Sequence, residues 1–444
     1  MSKYKPYPSY KDSGVEWLGD IPSGWKTTQI KHIGKLKSGA GFPHEYQGFQ
    51  DNDIQFHKVN ALSKANKYDY LINGDNTIST ETAHKLSAYI FPKQTIVFAK
   101  VGAALLLARI RLLNNISCID NNMMGFVVLK KFNVNFMKYS MNTIKFDYIV
   151  NSGAIPALNE SQIGSIKFSL PPPTEQKAIA DFLDNATSKI DTLIAKQQEL
   201  IKLLTEKRQA VISHAVTKGL DPTVEFKDSG VDWLGDVPSG WLSTKIKNML
   251  STPITDGPHE TPEFLDDGIP FISAEAISKG FINFDKIRGY ISIEANQKYS
   301  EKYSPMLNDV YMIKSGATTG VTAIVKDRID FNIWSPLAVF RSSSKLHPCY
   351  LLNYLRSTNF QKAVELYWTY GTQQNIGMNV LENLHITIPP LIEQQAIAIY
   401  LDDKTTKIDT LVDKATQSIA LLKEKRVAII SSAVTGKIDV RGVV

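Results

Sequence analysis

With 444 residues, 43% of them hydrophobic and 21% charged, and a net charge of +6, the chain has the composition of a globular protein of several domains, not of a disordered or fibrous one. No stretch approaches the ~18 uninterrupted apolar residues of a membrane span, and the run Val101 to Leu107 is short and contains Gly102. Two cysteines, Cys118 and Cys349, cannot build a disulfide framework or a zinc site, and Met1 to Tyr10 has no signal-peptide core, so a cytoplasmic protein is expected.

Residues 1–25 hold a tag, KDSGVEWLGDIPSGW from Lys11 to Trp25, whose Trp17 and Trp25 are expected to anchor it on a core. Residues 26–172 form a first block of short β-type runs, among them Gln94 to Ala99 and Gly125 to Leu129, with a helical stretch from about Asn135 to Val150. The block is basic: from Lys26 to Val150 there are 16 Lys and Arg against 8 Asp and Glu. After Pro171-Pro172-Pro173 the sequence predicts a helix over 173–222, with Thr174 able to cap it. Ile179, Leu183, Ala186, Ile190, Leu193, Gln197, Leu200 and Leu204 follow at alternating steps of four and three, the spacing of a coiled-coil seam.

The pattern then begins again. Within residues 223–241, Lys227 to Trp241 reads KDSGVDWLGDVPSGW, identical to the first tag at 13 of 15 positions. Residues 242–390 form a second block, with β-type runs at Asp309 to Ile313 and Ala338 to Arg341 and a helical stretch from Pro348 to Tyr367. Its charge is nearly balanced, 14 basic against 13 acidic residues from Leu242 to Tyr370. Residues 391–444 repeat the helix: PPLIEQQAIAIYLD from Pro389 answers PPPTEQKAIADFLD from Pro171, and KIDTL stands at both Lys189 and Lys407. Its seam is Ile397, Leu401, Ile408, Leu411 and Leu422, interrupted by Lys404 and Ser418. One scaffold is therefore written twice around divergent inserts. The expected fold is α+β: two domains on curved, mainly antiparallel sheets, separated by two long helices paired antiparallel, with a pseudo-two-fold internal repeat.

Weak echoes survive between the blocks. Phe98 to Ala103 aligns with Met312 to Ala317, which runs on through Thr318, Thr319 and Gly320. Lys100 with Gly102, and Lys314 with Ser315, Gly316, Thr318 and Thr319, suit a phosphate oxygen, because glycine allows close approach and backbone N–H groups can donate. A second echo pairs Gly153 to Asn159 with Gly371 to Gly377, where Gln373, Gln374 and Asn375 are able to read adenine. Lys37, His44 and His259 complete the candidate nucleic-acid contacts; neither histidine has a partner at metal spacing. Catalytic motifs are missing. There is no phosphate loop, dinucleotide fingerprint or Asn/Asp-Pro-Pro-aromatic tetrapeptide of an adenine methyltransferase.

Taken together, the tag, the Pro171 and Pro389 segments and the runs Asp256 to Pro262, Gly268 to Ile272 and Lys314 to Gly320 resemble the specificity subunit of type I restriction–modification systems, over essentially the whole chain. The first block carries a variant, Gly41 to His44, Ile96 to Gly102 and Ile119 to Asn122. The resemblance implies two target recognition domains, each reading half of a split DNA target, with the helices as a ruler across an unread spacer. It implies two methyltransferase subunits and motor–nuclease subunits as partners, and no catalysis by this chain. S-adenosylmethionine, ATP and Mg would belong to those partners. The alternative is an orphan scaffold or decoy that binds methyltransferase subunits without reading DNA productively.

Overall fold

The structure, a computed structural model, describes residues 4–66, 69–146, 149–150, 156–370 and 374–443. Residues 1–198 and 417–444 form one compact unit and residues 199–416 the other. Each unit therefore contains one block, the first part of one long helix and the last part of the other. No helix among the described residues is long and apolar enough to cross a membrane.

In the first unit, strands β1 (Gly34–Ser38), β2 (Ile54–His57), β3 (Thr77–Ile78) and β4 (Ile96–Ala99) are followed by a one-turn helix α1 (Ala103–Leu106), then β5 (Arg111–Leu112), β6 (Ser117–Ile119) and β7 (Met123–Val128). They make a four-stranded antiparallel sheet in the order β1-β7-β4-β5, and a three-stranded sheet β3-β2-β6 in which β2 and β6 run parallel. The run Ile96-Val97-Phe98-Ala99 lacks polar alternation because both faces of its sheet are covered. Ile96 and Phe98 enter a core with Phe126, Phe136 and Leu183, while Val97 and Ala99 enter another with Phe91 and Ile119. The expected helix near Asn135 is shorter than the sequence suggested, Val134–Met141, with Asn133 capping it.

Helix α2 (Pro173–Lys218) leads into the second unit, which repeats the plan. Strands β8 (Thr255–Asp256), β9 (Ile269–Ile272), β10 (Gly289–Ile291), β11 (Val310–Ile313), β12 (Thr322–Ile324), β13 (Asn332–Ile333) and β14 (Leu337–Phe340) give sheets β8-β14-β11-β12 and β10-β9-β13. Again one pair, β9 with β13, is parallel. The stretch expected as one helix from Pro348 is two, Pro348–Arg356 and Thr358–Leu366, because Ser357 turns extended and its hydroxyl caps the second. Helix α3 (Leu391–Val434) closes the repeat.

The repeated motifs now have physical reasons. Pro173 is itself the first helical residue of α2, where a missing N–H costs nothing, so Thr174 lies inside the helix and does not cap it. Gln176, fully buried, accepts from the Asn133 N–H at 3.0 Å and donates to the Pro171 carbonyl at 2.9 Å. Gln394 repeats this, accepting from the His347 N–H at 2.7 Å and donating to the Pro389 carbonyl at 3.0 Å. In the first unit Asp191 of the first KIDTL takes a two-pronged bond from Arg426, at 2.9 and 3.2 Å. In the second, Asp409 of the other KIDTL takes the same bond from Arg208, at 2.9 and 3.3 Å. Ile179 and Leu183 share a core with Ile430 and Val434, and Ile212 and Val216 share one with Ile397 and Leu401. The two helix segments in each unit thus run antiparallel.

The seam holds only in part. Ile179, Leu183, Ile190, Leu204, Ile397, Leu401 and Ile408 are buried, and Leu422 is half-buried. Leu193, Leu200 and Leu411 are exposed, contrary to the regular heptad reading. A helix pair covers only a narrow strip of each helix, and these three side chains fall outside it. In the tags, Trp25 and Trp241 are buried anchors, but Trp17 is exposed.

Candidate nucleic-acid interface

The two sequence echoes meet in space, and they do so identically in both units. In the first, the Gly102 N–H donates to the Pro156 carbonyl at 2.7 Å and the Leu158 N–H to the Lys100 carbonyl at 2.9 Å, making a bridge between Val101 and Ala157. In the second, the Gly316 N–H donates to the Gln374 carbonyl at 3.0 Å and the Ile376 N–H to the Lys314 carbonyl at 2.9 Å, bridging Ser315 and Asn375. The loop after the lysine is thereby stapled to the turn that closes the block. These two glycine N–H groups are committed, which corrects the expectation that they are free for phosphate. Glycine is needed for its backbone: φ is +73° at Gly102 and +103° at Gly316, while an added Cβ would meet nothing within 4 Å.

Around the second staple, Thr319 is buried and its hydroxyl donates to the Gly316 carbonyl at 2.8 Å, whereas Thr318 is exposed. Gln374 is half-buried and Asn375 exposed; Gln373 lies outside the described residues, as do Gly153 to Ile155 and Gly371 to Thr372. Lys314 faces inward, its side chain 12% exposed, with Nζ 3.3 Å from Asp256 Oδ2. Asp256 is fully buried and also takes Lys302, through Oδ1, while the His259 Nε2 lies 3.0 Å from Oδ2, which accepts no hydrogen bond among the described residues. Burial alone would raise the Asp256 carboxyl pKa, but the bond from Lys302 and the charges of Lys302, Lys314 and His259 hold it below the ordinary carboxylate value.

In the first unit Lys100 is half-buried and donates to Ser38 Oγ at 2.8 Å. Lys37 is not brought to it. Lys37 pairs through Gly125 with Val97, so it lies on the other face of the sheet from Ser38 and Phe98. His44 is exposed on the short turn His44–Tyr46. Part of the block's positive charge is internal: Asp69 takes Arg111 at 3.1 Å and the buried Lys138 at 3.3 Å. Sequence reasoning missed Ser38 and Lys302, and it missed the wider loop beside the first staple. From Gly102 to the next strand at Arg111 the chain is three residues longer than from Gly316 to Thr322. The extra length forms α1 and presents Leu106, Leu107 and Arg109 to solvent around Ala108, which holds φ +45°. Comparing these two spacings would have found it.

Among the described residues no group of three or more His, Cys, Asp or Glu side chains is placed to hold a metal ion. Cys118 is buried and its thiol pKa is pushed up to about 12, which makes it a poor nucleophile.

The model of the type I restriction modification DNA specificity domain matches this chain twice, over residues 22–203 and 239–421. Among curated relatives, the EcoBI specificity subunit of Escherichia coli is 25% identical over 65% of this chain, a match spanning 62% of that relative's length. The MjaVIII specificity subunit of Methanocaldococcus jannaschii is 25% identical, with 65% of each chain covered. The putative MjaX specificity subunit of the same organism is 24% identical with 96% of each chain covered. Two solved structures share the fold. One is a chain from work on assembly and conformational transition of the type I R-M system, with TM-score 0.68, 17% identity, and 93% of this chain and 98% of that one covered. The other is the HsdS subunit from Thermoanaerobacter tengcongensis, with TM-score 0.53, 18% identity, and 94% and 98% covered.

Proposed function

Because the chain belongs to the type I restriction–modification DNA specificity family, we propose that it is a non-catalytic subunit whose two recognition domains each read one half of a bipartite DNA target. The observation that carries the reading is the stapled loop, built alike in both domains but dressed with different side chains. Lys100, Leu106, Leu107 and Arg109 stand on one; His259, Lys302, Thr318, Gln374 and Asn375 stand on or beside the other. A shared backbone frame with unlike side chains suits one mode of docking and two sequences. The repeated helices and tags are the surfaces for two copies of a methyltransferase subunit and for motor–nuclease subunits. Adenine methylation and ATP-driven cleavage, with S-adenosylmethionine, ATP and Mg, belong to those partners.

The test is selection of duplex DNA from a randomised pool by the full chain, alone and with its methyltransferase subunits. Two unlike short motifs at fixed separation are expected. A single motif, a perfect palindrome, or no enrichment would contradict two different readers.

A further inference from the structure

Sheet register lines the two domains up residue by residue. Ser38 stands opposite Met124, which stands opposite Phe98; Asp256 stands opposite Ala338, which stands opposite Met312. Two residues beyond Phe98 and Met312 are Lys100 and Lys314. The glycines that follow agree with this alignment. A Cβ on Gly39 would lie 2.2 Å from the backbone oxygens of Ile119 and Asp120, and one on Gly257 would lie 2.0 Å from that of Ile333. Ser38 and Asp256 therefore occupy one place in the fold, and each domain's lysine reaches back to it.

The partner decides what the lysine is able to do. The Ser38 hydroxyl is neutral, and no carboxylate pairs with Lys100 among the described residues. Releasing Lys100 to an anion therefore gives up one hydrogen bond to a neutral hydroxyl and no ion pair, with the Glu160 carboxylate close by, accepting from the Ser38 N–H at 2.8 Å. Lys314 sits against a buried carboxylate, and pulling it away would leave that anion short of a partner in a place water does not reach. Around Asp256 the exposed cation is instead Lys302, its side chain 49% exposed, beside the His259 imidazole, 69% exposed.

We infer that the two domains use this equivalent lysine in different ways: Lys100 takes a phosphate of the nucleic-acid backbone, whereas Lys314 is a positioning residue held on Asp256. The inference rests on the DNA reading proposed above. Electrostatic contact through this loop then falls mainly on the first domain, in keeping with its excess of basic residues.

The experiment is the binding of a fluorescein-labelled DNA duplex of mixed sequence to the full chain across a potassium chloride titration, with thermal unfolding of each variant measured alongside. Each phosphate neutralised contributes about 0.9 to the slope of log K against log salt. Lys100→Ala should lower the slope by about 0.9 and leave the melting temperature near that of the parent. Ser38→Asp should lower it similarly although the lysine remains, because the new carboxylate captures Lys100 as Asp256 captures Lys314. Lys314→Ala should leave the slope unchanged and lower the melting temperature. The proposal is overturned if Lys100→Ala or Ser38→Asp binds with the parent's slope. It is equally overturned if Lys314→Ala loses as much slope as Lys100→Ala at unchanged stability. A parent chain whose binding ignores salt would instead overturn the DNA reading itself.

Discussion

His57 ends strand β2 with its side chain buried, 3% exposed, and its Nδ1 without a hydrogen-bond partner among the described residues. Burial lowers its pKa from 6.5 to about 4. The unfolded chain takes up this proton near pH 6.5 and the folded chain only near pH 4, so between those values the folded state binds fewer protons. Stability therefore rises with pH across that window and is lost as pH falls through it. The melting temperature should drop between pH 7 and pH 5, and His57→Leu should shrink that drop; an equal drop in both proteins would assign the acid sensitivity to other groups. At this scale the sequence was legible only where chemistry and position coincide. Lys100 and Lys314 align on a short apolar run ending in Lys-x-Gly. Their partners did not show, because Ser38 lies 62 residues from Lys100 along the chain and only strand pairing brings it there. The histidines misled for the same reason. Pro43-His44 looks like Pro258-His259, yet register equates Gly39 with Gly257, which leaves His44 three residues out of step.

At the scale of elements, the frame was legible because both copies are held by the same few bonds. Gln176 and Gln394 each close the start of a long helix onto its block, and strands Lys167–Leu170 and His385–Ile388 send Ser169 and Thr387 hydroxyls to the carbonyls of Val434 and Val216, both at 2.7 Å. These are buried, whereas the Asp191–Arg426 and Asp409–Arg208 pairs are partly exposed. Removing a buried partner costs roughly 1–3 kcal/mol, and an exposed ion pair contributes about 1 kcal/mol or less. Gln176→Ala should thus destabilise its unit by about 1–3 kcal/mol in chemical unfolding, clearly more than Asp191→Ala. The reverse order would mean that the ion pairs, not the glutamines, hold the frame. Periodicity misjudged the seam at Leu193, Leu200 and Leu411, since a spacing of four and three marks a helix face but not what covers it.

For the whole molecule, the repeat separates what is common from what differs. The common part is the tag, the helix starts and the stapled loop. What differs is charge, an excess of eight basic residues between Lys26 and Val150 against one between Leu242 and Tyr370, and the side chains on the loop. Domain class and duplication were visible in the sequence because two copies of one frame reveal each other. Which side chains meet was not, because the blocks have diverged and their contacts are long-range. The central claim, one scaffold with two independent readers, is tested most directly by exchanging residues 26–172 for the matching block of a relative and mapping the adenine methylation pattern of the host. One half of the methylated target should change while the other half stays as it was. If both halves change together, or neither does, the two blocks are not separate readers.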